Sequence, residues 1–187
     1  MSSHHIIREK QEPALYIHQL GNFDEENLGQ LLEWSPTLIV SASDYEKILS
    51  LGLKVDIVVT ATEPTFSQEN TKTIHIKSNE LTAVLEYLIA EEYPAVNIIA
   101  TDASLAGLDA FAENINLVIF TDIYKSYSVK SGFKIWKPAG TIFLISTNEP
   151  FHHTNLRDTG HNLFEVITDG FVEFTFNTPY LFISEQL

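Results

Sequence analysis

Four carboxylates stand where short apolar runs give way to loops or helix starts: Asp44, Glu63, Glu80 and Asp102. Asp44 follows Leu38-Ile39-Val40, and Glu63 follows Ile57-Val58-Val59. Glu80 opens an amphipathic stretch, and Asp102 follows the apolar run at 96–100. Carboxylates gathered at one sheet edge can hold Mg²⁺ and, through it, a nucleotide. Acids also collect at helix starts because the helix dipole favours them there, which is reason enough for Asp44, Glu80 and Asp102. Glu63, in a loop, has no such reason. The segment 41–44, which includes Ser43, presents a helix start to which an anion could bind.

Other chemistries find less support. His4-His5 and His152-His153 are adjacent pairs, and neighbours on a strand point to opposite faces. His18, His75 and His161 stand alone, with no HExxH spacing. With no cysteine, disulfides, thiolate catalysis and Cys-ligated zinc are excluded. There is no GxGxxG, no GxxxxGK[ST] and no GxSxG, so neither a dinucleotide fingerprint, a P-loop nor a nucleophile elbow is present.

The elements that must position the acids can be read from periodicity. Residues 38–64 read as strand, helix, strand. Ser43 stands three before Glu46, a capping-box spacing, and Gly52 is placed to end the helix in left-handed geometry. So tight a crossover implies parallel neighbouring strands, buried on both faces, with ligands bound beyond their carboxyl ends. A strand is expected at 14–20, and a helix after Asn22-Phe23-Asp24-Glu25 with Leu28, Leu31 and Leu32 inward. A short extended piece follows at 73–76. Ser78 or Asn79 can cap a helix with Leu81, Val84, Leu85, Leu88 and Ile89 on its inner face. Then come a strand at 96–100, a helix capped by Asp102 carrying Leu105, Leu108 and Phe111, and a strand at 117–120.

From Asp122 onward no 3.6-residue period persists. About six short aromatic and β-branched runs are punctuated by glycine and proline. Asp169-Gly170 between two of them reads as a hairpin turn. The expected architecture is therefore an α/β domain with a mainly parallel, Rossmann-like sheet over residues 1–121. A C-terminal antiparallel β-sandwich follows over 122–187.

The totals narrow the partners. A formal charge of −14 disfavours nucleic acid and anionic membranes, which both require cationic surface. No apolar run approaches the ~20 residues that span a bilayer, and residues 1–13 do not read as a signal peptide. The expectation is a soluble cytoplasmic protein.

At its loops the chain resembles the thiamine pyrophosphokinase family, whose members transfer diphosphate from ATP to thiamine. The likeness lies in layout, an α/β domain followed by a β-sandwich, and covers nearly all of the chain after Leu38. Ser43-Asp44-Tyr45 stands at the family's Asp-Gly-Gly loop, followed by Leu51-Gly52 and Val55-Asp56. Thr60-Ala61-Thr62-Glu63-Pro64 replaces Gly-Asp-x-Asp-Ser, and Lys77-Ser78-Asn79-Glu80 replaces Asp-x-Thr-Asp. Residues 103–108 replace Gly-Gly-Arg-x-Asp-His, with Leu105 in the place of its guanidinium, and Thr159-Gly160 matches the family's late Thr-Gly.

The resemblance implies a homodimer and assigns roles. Glu63 and Glu80 would be replacement catalytic acids, with Glu63 on the metal. Ser43, Asp44 and Asp102 would face the nucleotide, and Thr159 and Gly160 the thiamine-type substrate. Diphosphoryl transfer is mostly charge neutralisation by Mg²⁺, acids and cations, so these replacements imply lost catalysis with weak residual nucleotide or thiamine binding. Two alternatives stand beside this. One is an active diphosphokinase using Mg²⁺ and ATP through Glu63 and Glu80. The other is a structural or regulatory interaction module.

Overall fold

The computed structural model describes residues 12–62, 68–76, 79–102, 107–108 and 110–187. The chain forms two compact units: residues 1–101 with 113–116, and residues 102–112 with 117–187. Strands dominate the described residues, and helices are few.

The first unit is built on five parallel strands: β1 (Ala14–Ile17), β2 (Leu38–Ser41), β3 (Ile57–Thr60), β4 (Lys72–His75) and β5 (Ala95–Ile99). Their order is β4-β3-β2-β1-β5, and every pairing is parallel. Every residue of β1, β2 and β3 is buried. Alternate side chains point to opposite faces, so complete burial means both faces are covered, as the continuous apolar runs required.

Three helices connect these strands. α1 (Glu25–Leu32) is capped by the Asp24 carboxylate, which accepts from Asn27 N at 3.0 Å, and it buries Leu28. α2 (Tyr45–Ser50) ends at Gly52, whose φ of +75° is the left-handed geometry expected of it. α3 (Glu80–Ala90) is capped by Asn79, whose side chain accepts from Thr82 N at 3.0 Å. Its Val84, Leu85 and Leu88 are buried, the inner face read from the sequence.

Two local expectations change here. The Ser43–Glu46 capping box does not form: Asp44 is the N-cap of α2, and Ser43 Oγ lies 2.8 Å from Ser41 Oγ instead. A short hydroxyl at a strand end can satisfy itself on a neighbouring hydroxyl as readily as on a helix N–H. Of the helix expected after Asp102, the described residues 107–108 and 110–112 are turns instead, and Leu105 lies outside the described residues.

The second unit is antiparallel throughout. Its strands are β6 (Asn116–Phe120, whose first residue belongs to the first unit), β7 (Tyr124–Val129), β8 (Phe133–Lys137), β9 (Ile142–Leu144), β10 (Phe151–His153), β11 (Leu156–Gly160), β12 (Leu163–Val166), β13 (Gly170–Phe176) and β14 (Leu181–Gln186). They make a run β11-β12-β9-β14-β7-β6 and a smaller sheet β10-β13-β8. Side chains from the two layers share one core of Val129, Phe143, Ile145, Leu156, Phe164, Val166, Val172, Phe174, Phe176, Leu181 and Ile183. Phe143 of β9 meets Phe174 of β13 edge to face, ring centres 5.7 Å apart. The smaller antiparallel sheet thus packs on the larger one, as the short aromatic and β-branched runs suggested.

Eight strands follow residue 121, where about six were expected; β10 and β11 are the additions. Asp169-Gly170 is not a hairpin turn, because β12 and β13 lie in different sheets. It is a corner where the chain changes layer, and Asp169 Oδ1 accepts from Ala139 N there at 2.8 Å. A tight hairpin instead joins β11 to β12 through His161 and Asn162, whose φ values of 55° and 64° suit the right-handed strand twist.

Candidate functional site

The strand order places the crevice. Successive strands run from β1 outward through β2 and β3 to β4, after which β5 returns to the other side of β1. In open parallel sheets, ligands bind beyond the carboxyl ends at such a reversal. The segment leaving β1 is 18–24, and it is well anchored. His18 N and Gln19 N both donate to Ile99 O, Thr101 Oγ1 donates to Gln19 Oε1, and Lys47 Nζ donates to Gly21 O. Gly21 is needed as glycine: its φ is +53°, and a Cβ there would stand 2.7 Å from Thr101 Cγ2.

At this edge a polar cluster converges. Tyr16, fully buried on β1, donates its hydroxyl to Glu80 Oε1 at 2.7 Å. Tyr16 Oη also lies 2.9 Å from His18 Nδ1, and His18 Nδ1 lies 3.7 Å from Glu80 Oε1. Ser41, whose hydroxyl pairs with that of Ser43 at 2.8 Å, also helps to hold Glu80 in its charged form. Asp44 Oδ2 is 3.4 Å from Leu20 N, tying the start of α2 to the loop after β1. Strand pleating explains half of this: Tyr16 and His18 are two apart and so share a face. The other half comes from α3, whose first residue is Glu80.

The electrostatics follow from burial and partners. Burial opposes the charged form of Glu80, yet the polar partners His18, Tyr16 and Ser41 outweigh it, holding the carboxyl below its usual range. Glu80 is therefore an ionised acceptor. Burial, followed by the Glu80 carboxylate, pushes the Tyr16 phenol well above its ordinary value, so Tyr16 keeps its proton.

The residues singled out from sequence fare differently. Ser43, Asp44 and Glu80 all belong to the first unit and lie beside β1 and β2 at the edge just described. Glu63 lies outside the described residues. Asp102 is exposed, in a bend assigned to the second unit. Thr159 and Gly160 also belong to the second unit, at the end of β11: Thr159 Oγ1 donates to Leu163 O at 3.0 Å, and Gly160 N donates to Asp158 Oδ1 at 2.8 Å. Sequence reasoning missed Tyr16 and His18. Their signal was a Tyr-x-His spacing at the end of a buried strand.

Mg²⁺ and ATP, which the resemblance implies for an active enzyme, would be held in part by Glu63, which lies outside the described residues. Among the described residues no group of three or more His, Asp or Glu side chains is arranged to hold a metal ion. Glu80, the described acid assigned to catalysis, has an oxygen engaged by Tyr16. Among the described residues, no helix is long and apolar enough to cross a membrane.

Comparison with known proteins rests on structure. No protein-family model matches the sequence, and no curated protein matches it. Solved structures do match. Thiamine pyrophosphokinase from Bacillus subtilis superposes with a TM-score of 0.65 at 11% identity, covering 94% of this chain and 99% of that one. Thiamin pyrophosphokinase from Candida albicans gives 0.67 at 9% identity, with 94% and 89% coverage. The yeast enzyme gives 0.63 at 9% identity, with 97% and 88%. In fold, over nearly its whole length, this chain is similar to thiamine pyrophosphokinases.

Proposed function

We propose that the chain is a non-catalytic thiamine pyrophosphokinase-like protein that keeps weak binding of a nucleotide or thiamine-type ligand. The observation that carries this reading is the state of Glu80. An acid given wholly to a metal would keep both oxygens for it, whereas Oε1 of this one takes the Tyr16 hydroxyl at 2.7 Å. The replacements at Ala61, Lys77 and Leu105 point the same way, since each removes a charge that phosphoryl transfer relies on. The β4-β3-β2-β1-β5 order supports a Rossmann-like reading of the first unit. The proposed protein is a cytoplasmic homodimer.

A thermal-shift panel of thiamine, thiamine diphosphate, ATP and ADP, each with and without Mg²⁺, tests this. A bound ligand at a hundred times its Kd adds about 2.7 kcal/mol. The expected result is a shift with a thiamine compound or nucleotide that does not depend on Mg²⁺. An ATP shift that requires Mg²⁺ and disappears in Glu63→Ala overturns the loss of catalysis. Silence throughout overturns retained binding and favours an interaction module, for which Trp136 and Phe171, exposed register partners on β8 and β13, are the specific observation.

A further inference from the structure

The cluster on β1 contains more information than the fate of Glu80. A phenol has one proton, and Tyr16 gives it to an acid that is ionised and can only accept. Tyr16 Oη is then an acceptor toward His18 Nδ1, 2.9 Å away. The other oxygen near that nitrogen, Glu80 Oε1 at 3.7 Å, is an acceptor as well. Both neighbours of Nδ1 therefore ask for a hydrogen on it. In a neutral imidazole that leaves Nε2 bare, with a lone pair. Among the described residues Nε2 has no hydrogen-bond partner, and the His18 side chain is 29% exposed. It stands one residue beyond β1, the strand at which the sheet order reverses.

We propose that His18 Nε2 is a hydrogen-bond acceptor for a small molecule bearing a hydroxyl or amine donor, neutral or cationic, and that Glu80 and Tyr16 are positioning residues that fix its tautomer. This deepens the reading of a small-molecule site at this edge and rests on it for the ligand, though not for the tautomer. The chemistry selects the class. A bare Nε2, with the Glu80 carboxylate near the same ring, accepts from O–H or N–H and offers no hydrogen to a phosphate oxygen.

The test uses the full chain labelled with ¹⁵N in its histidine rings, the His18 signals assigned by their loss in His18→Gln. In the unliganded protein, long-range proton–nitrogen correlations are expected to show Nδ1 protonated and Nε2 bare. Tyr16→Phe is expected to relax this to a tautomer mixture without unfolding, judged by an otherwise conserved amide spectrum. Ethanolamine is then expected to shift the Nε2 resonance, and inorganic pyrophosphate to leave it unmoved. An Nε2-protonated ring in the free protein overturns the proposal, as does an unchanged tautomer in a folded Tyr16→Phe. A bare Nε2 that answers to pyrophosphate and not to ethanolamine overturns the ligand class. These outcomes are distinct from failure of the thermal-shift panel, which does not report the tautomer.

Discussion

Replacing Tyr16 by phenylalanine removes one oxygen and nothing else. The ring still fills its fully buried place in β1, so no cavity of consequence is left. What is lost is a 2.7 Å hydrogen bond to an ionised acid. Hydrogen bonds to charged groups contribute about 1.5–3 kcal/mol, and the orphaned partner adds to the cost. The expected loss is therefore ~2 kcal/mol at neutral pH, read as a fall in the urea midpoint and in Tm, the latter by about 2–4 °C per kcal/mol at this size. The pH dependence has a definite sign. The folded-state pKa of Glu80 is depressed below its ordinary 4.5, so the stability it contributes is present above that value and is lost as pH falls through the folded pKa. Tyr16→Phe removes one cause of the depression, so its deficit against the native protein should narrow in that acid range. A double-mutant cycle with Glu80→Gln should give a coupling of about 1 kcal/mol or more. Additivity within about 0.5 kcal/mol, or a deficit that grows in acid, would refute the reasoning.

Three further outcomes follow from the same structure. Phe174→Ala empties a fully buried position between the two layers of the second unit and should cost about 3–5 kcal/mol in urea unfolding; a loss under ~1 kcal/mol would mean the layers do not share the core described. Asn79→Ala removes the cap of α3 and should cost about 1 kcal/mol, while Asn79→Asp should cost little, which the same unfolding curves would show. Gly52 has φ of +75° and open space where a Cβ would stand, so Gly52→Val should lose roughly 1–2 kcal/mol and Gly52→Asn clearly less, a difference that backbone conformation alone predicts.

Much of the parallel layer was legible because its signals are local. Apolar runs such as Ile57-Val58-Val59 are too short for buried helices, and the Leu81-to-Ile89 spacing admits only one inward face. The errors came where a local signal has two physical outlets. Ser43 could bond a helix N–H or a neighbouring hydroxyl, and it took Ser41. Asp169-Gly170 could turn a hairpin or a corner, and only the partners of β12 and β13, distant in sequence, decide between them. Glu80 was found as an acid at a helix start, but its role depends on Tyr16, 64 residues earlier. His18 looked isolated because only one of its neighbours, Tyr16, is local; the other, Glu80, is brought in by the distant start of α3.

The central claim is that a thiamine pyrophosphokinase-like fold here stands without its diphosphoryl chemistry. The direct measurement is formation of thiamine diphosphate and AMP from thiamine and ATP with millimolar Mg²⁺, by chromatography, against a protein-free control. The account predicts no product above that control. Magnesium-dependent product that is abolished in both Glu63→Ala and Glu80→Ala would contradict it.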